Sequence, residues 1–143
     1  MGVTQHDRLR IASQQLETAL ALYFQGTDHY SVITLAGVAD EIFGQMLRAQ
    51  GQVARLEEIK NSVAAIYRKL WKEEIEPKIV VNLANHAKNA LKHWDTTQPI
   101  IVEFDLLEEA KDMVERAIAN YWALYNDLTP AMERFEREVL NPA

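Results

Sequence analysis

An all-α fold is predicted by three features of the sequence. Apolar residues recur three and four apart through nearly every long segment, the spacing that lines one face of a helix. Glycine, proline and polar capping residues fall between those segments, so the chain reads as helices joined by short loops. Extended, β-branched character is confined to one short stretch with no second stretch to pair with. The expected architecture is a single-domain antiparallel bundle of five to six helices over residues 1–143. Its core lies at about 4–126 and a short C-terminal helix at about 129–140.

The first helix is expected over about 4–24, where Leu9, Ala12, Leu16, Leu20, Tyr23 and Phe24 share a face and Gly26 stops the run. Thr27 or Asp28 caps a second helix that reaches about residue 50 and ends at Gly51. Val32, Ile33, Leu35, Val38, Ile42, Phe43, Met46 and Leu47 make this helix apolar on most sides, which places it centrally. Ala36, Gly37, Ala39 and Gly44 are small enough for neighbours to approach closely. Asp40 and Glu41 are expected on its narrow solvent strip, with Lys88 as an alternative partner for one of them.

The third helix, at about 53–74, is amphipathic, with Val53, Leu56, Ile59, Val63, Ile66 and Leu70 on one stripe. Pro77 opens a fourth that runs to about residue 94. Residues 95–104 begin as a turn, and the β-branched run Ile100-Ile101-Val102 then predicts an extended connector packed on the helices, unpaired unless a second copy supplies a strand. Asp105 with Glu108 marks the start of a fifth helix to about residue 125. Thr129-Pro130 opens the short sixth.

Composition narrows the chemistry. Apolar residues make up 48% and charged residues 25% of the chain, close to the globular average, so no staple is needed for a core. The absence of cysteine excludes disulfides, thiolate nucleophiles and zinc-finger or iron–sulfur ligation. No apolar run approaches a membrane span and residues 1–10 hold no apolar leader core, so a cytoplasmic location without membrane association is expected. The formal charge of −6 disfavours nucleic-acid binding by net charge alone. The distribution is uneven, however: residues 52–94 carry eight bases against five acids, and within 77–94 Lys78, Lys88 and Lys92 meet no acid. Such a run is a solvated face or a local anion-attracting strip.

The fourth helix carries the unusual side chains. On a continuous helix Val80, Leu83, Ala84, Ala87, Leu91 and Trp94 fill an apolar arc, while Asn85, Lys88 and Lys92 face solvent. Between them runs a stripe of Asn82, His86, Asn89 and His93. Imidazoles exchange protons near neutral pH and amides hold tautomers or ligands, so Asn82, His86 and Lys92 are candidate ligand-binding residues. The same stripe also suits a hydrogen-bonded seam between helices. Two histidines seven residues apart lie about 10 Å apart along a helix, too far for one ion, so no metal and no cofactor is expected. His29-Tyr30 reads as capping and packing, His6 as exposed terminus, and Trp71, Trp94 and Trp122 as core or interface anchors. Phosphate loops, nucleophile elbows and paired-histidine zinc motifs are absent.

The stretch Tyr23-Phe24-Gln25-Gly26-Thr27-Asp28-His29-Tyr30, with the small, Ala-rich helix to Ile42 that contains Asp40-Glu41, resembles the HEPN superfamily of small helical bundles. Members commonly carry an arginine, often followed by Asn, His or Asp, and a histidine four to six residues beyond. Lys88-Asn89-Ala90-Leu91-Lys92-His93 is similar to that motif, with lysine in the arginine position. The resemblance spans about residues 9–125 and implies a homodimer. Members with an intact motif are commonly metal-independent, often toxin-like ribonucleases; others bind nucleotide, RNA or protein without catalysis. Lysine keeps the charge but loses the bidentate fork, which favours the non-catalytic group. If catalysis is retained, the resemblance makes His93 the general acid/base, Asn89 its orienter and Lys88 the stabiliser of phosphorane charge. On a straight helix Lys88 lies about 140° from His93 and Asn89 about 40°, so the cation needs a distortion or a second subunit to join them.

Overall fold

The computed structural model describes residues 2–143, and every regular element among them is helical. In order these are α1 (Arg8–Gln25), α2 (His29–Ala49), α3 (Arg55–Trp71), α4 (Pro77–Ala84), α5 (His86–Lys92), α6 (Leu106–Tyr125) and α7 (Pro130–Phe135), the last continuing as a π-helical turn over Glu136–Leu140.

Capping explains most of the boundaries. Asp7 accepts from the amides of Leu9 and Arg10, so α1 starts at Arg8, four residues later than the apolar pattern suggested. Gly26 ends it in the left-handed region at φ 77°, where a side chain would be strained. Asp28, and not Thr27, caps α2 by accepting from Ser31 N at 3.0 Å. Asp105 and Thr129 do the same for α6 and α7, accepting from Glu108 N and Met132 N. The third helix stops at Trp71, three residues short of expectation, because Lys72 takes the left-handed conformation.

The larger correction concerns the fourth helix, which is two. The chain breaks at Asn85 (φ −105°, ψ 5°), giving α4 and α5 and raising the count from the expected five or six helices to seven. Burial along the segment differs from the continuous-helix reading. Lys88 and Asn85, expected in solvent, turn inward, while Leu83 and Trp94, expected in the core, are 68% and 58% exposed.

The core lies where α1, α2 and α6 meet. Leu16, Leu20, Ile33, Phe43, Met113 and Ile118 are fully buried there, and Met132 and Phe135 of α7 close one end. Each large apolar side chain so buried contributes about 1.5–3 kcal/mol. The hairpin of α3 and α4 leans on this core along one edge only. Consequently α3 buries no side chain completely, and Ile66, Leu70 and Trp71 remain largely exposed despite the apolar stripe. Neither Trp94 nor Trp122 enters the core. No helix is long and apolar enough to cross a membrane among the described residues.

Candidate functional site

Arg116 organises the polar interior. Its Nη2 donates to Asp40 Oδ2 at 2.7 Å and to Asn85 Oδ1 at 2.9 Å, and its Nη1 donates to the Ala84 carbonyl at 3.0 Å. Asn120, one turn on, donates from Nδ2 to both the Asp40 carbonyl and Asp40 Oδ1, while its own Oδ1 accepts from Arg55 N at 2.8 Å. The guanidinium thus joins α2 and α6 to the break between α4 and α5. It also supplies a donor to a carbonyl at the helix end, which explains why the break sits there. Burial lifts the Asp40 carboxyl above its ordinary range, against the opposing pull of Arg116. Asp40 was expected on a solvent strip; it is 4% exposed and ion-paired inside.

Lys88 sits beside this network. Its stem crosses Gly37, and its Nζ lies 3.7 Å from Glu41 Oε2, so the alternative partner anticipated for one of the α2 acids is realised for Glu41. Burial holds the Lys88 ammonium below the ordinary lysine range, with Glu41 and then Asp40 opposing. Lys92 also approaches Glu41, at 4.0 Å, but from a different groove that it shares with Leu9, Val38 and Ile42.

The imidazole–amide stripe forms a separate groove. Asn82, His86, Asn89 and His93 line one side of a depression of about 890 Å³, and Trp94, Gln98, Pro99 and the connector 101–103 line the other. His86 Nε2 donates to the Glu103 carbonyl at 3.2 Å, which ties α5 to the connector. His93 N donates to the Asn89 carbonyl at 2.8 Å, and at His93 the backbone leaves the helix for an extended conformation. The four stripe side chains are solvent-exposed, so they do not form a buried seam between helices. The connector is less well packed than its sequence suggested: Phe104 is half-buried against the core, but Ile100 and Ile101 stand out in solvent.

The six sequence candidates are therefore sorted into three places. Asn82, His86, Asn89 and His93 come together; Lys88 faces a small pit with Asp40, Glu41, Asn85 and Asn120; Lys92 faces the groove between α1 and α2. Arg116 and Asn120 escaped the sequence reading. Their signal is nevertheless present, because two polar residues four apart fall on the same arc of α6 as Met113 and Ala117. No cluster of three or more metal-ligating side chains occurs among the described residues. The chain matches no protein-family model, no curated protein and no solved structure in the comparisons made.

Proposed function

We propose that the chain is a HEPN-like helical domain acting as a homodimeric, non-catalytic binding module whose ligand is a nucleotide or RNA. The observation that carries this reading is the groove. It presents two amides and two imidazoles beside the exposed face of Trp94, in a volume typical of small-ligand sites. Amides pair with the donor–acceptor edges of bases, and an exposed indole gives a base a stacking surface.

Catalysis is the second reading, favoured by the adjacency of Asn89 and His93 in the groove. Against it stands the position of Lys88, whose ammonium is directed to Glu41 instead of toward His93. Among the described residues no lysine or arginine lines the groove to meet the developing phosphorane charge at His93.

Thermal denaturation with adenosine, cytidine, guanosine and uridine monophosphates and with a short single-stranded RNA tests the first reading. A rise in Tm that Asn89→Ala and His93→Ala remove is the expected result, because a ligand bound to the native state alone stabilises it. No shift with any of them overturns it. Metal-free RNA cleavage that His93→Ala abolishes would replace it with the ribonuclease reading.

A further inference from the structure

The connector after α5 leaves an exposed, unpaired edge. Following a bend at Ile100, residues 101–105 are neither helix nor turn. Ile100, Ile101 and Val102 are 83%, 78% and 45% exposed, three consecutive β-branched apolar side chains in solvent. None of the backbone groups of residues 100–104 takes part in a backbone–backbone hydrogen bond. Such an edge is a template for another strand.

One side-chain contact sets which backbone groups are free. In an antiparallel pair the N–H and C=O of one residue point to the same side, and those of the next residue point to the other. The Glu103 carbonyl is taken by His86 of the same chain. By that alternation, within the extended run after the bend, Glu103 and Ile101 turn their backbone groups toward their own protomer and Val102 and Phe104 turn theirs outward, and the peptide plane shared with Ile101 turns the Ile100 carbonyl outward as well.

We propose that this segment pairs antiparallel with its copy in a second protomer, about a two-fold axis through Ile101. Pairing draws the bend at Ile100 into line, and Ile100 then exchanges both backbone hydrogen bonds with Val102 of the partner subunit, and Val102 with the partner's Ile100. The register is self-complementary. Apolar residues fill its centre, and the partner positions that border Glu103, residues 97–99, hold no acid. A peptide of different sequence has no reason to match this pattern, whereas a two-fold makes the same patch serve both sides. Ile101, Val102 and Glu103 also wall the imidazole–amide groove, so the partner's strand extends that wall.

The pairing rests on the homodimer included in the functional reading, and the test separates the two. The chain has no cysteine, so Ile101→Cys introduces a single thiol. Across the two-fold the two copies of residue 101 form a non-hydrogen-bonded pair with Cβ atoms about 4.5–5.5 Å apart, close to what a disulfide spans. Gln98→Cys places the thiols at opposite ends of the paired stretch, beyond disulfide reach. Sedimentation of the wild-type chain at tens of micromolar is expected to give a dimer. Mild oxidation is expected to link most of Ile101→Cys, and at least tenfold less of Gln98→Cys, into a species of twice the mass on a non-reducing gel. Val102→Pro, which removes an outward N–H, is expected to weaken dimerisation at least tenfold with unchanged helicity. A dimer that links equally at both positions, or not at residue 101, or that tolerates Val102→Pro, overturns the pairing while leaving the homodimer standing. A monomer overturns both.

Discussion

Gly37 and Lys88 occupy the same space by a narrow margin. A Cβ on Gly37 would lie 2.6 Å from Lys88 Cδ and 2.9 Å from Cγ, so the lysine stem passes over α2 only because residue 37 has no side chain. That contact anchors α5 to the central helix and directs the ammonium toward Glu41. Gly37→Ala must displace the stem and is expected to cost about 1–3 kcal/mol. In a Lys88→Ala background most of that cost should vanish. Additive effects in urea unfolding of the two single variants and the double variant would mean that the stem yields freely.

The buried ammonium makes stability depend on pH. Burial depresses the folded-state pKa of Lys88, so the folded state disfavours its charged form. The stabilising contribution is therefore fully present above the unfolded value of about 10.4 and is lost as pH falls through the depressed one. Lys88→Met removes the dependence. Relative to wild type the variant should gain stability as pH is lowered from about 10 to 7, measured by urea unfolding at three pH values. Parallel curves would place the ammonium in ordinary solvent.

Asp40 and Arg116 form an ion pair in which both side chains are almost wholly buried. Removing either charge leaves the other inside without compensation, so Asp40→Asn and Arg116→Met are each expected to lose about 3–5 kcal/mol. Replacing both with apolar residues should cost much less than the sum. Chemical denaturation of the three variants decides it, and a loss under about 1 kcal/mol in either single variant would contradict the pairing.

His93 holds nothing together. It is exposed, and its side chain makes no hydrogen bond among the described residues. His93→Ala should leave the unfolding free energy within about 0.5 kcal/mol of wild type while abolishing any nucleotide-induced shift in Tm. A loss of about 2 kcal/mol or more would make it a structural histidine.

The periodicity of α1, α2 and α6 was legible because their apolar faces are wide and each helix carries its own cap or stop: Asp28, Gly26, Asp105. The shared location of Asn82, His86, Asn89 and His93 was legible for the same reason, since side chains three and four apart stay on one side of the segment across the break. The break itself was not. Nothing local to Ala84-Asn85-His86 ends a helix; the cause is Arg116, thirty-one residues away, which takes the Ala84 carbonyl and the Asn85 amide oxygen.

The helical class, most helix ends and the clustering of the imidazole–amide stripe can be read from the chain alone, because these depend on contacts within a few residues. Where each charge goes is set by contacts between distant helices. Asp40 and Lys88 look like solvent residues along the chain, yet both are buried, one by a guanidinium from α6 and the other by a missing Cβ on α2. Whether a charge can be buried depends on a partner or a space supplied from a distant part of the chain, and spacing along one helix carries no record of either.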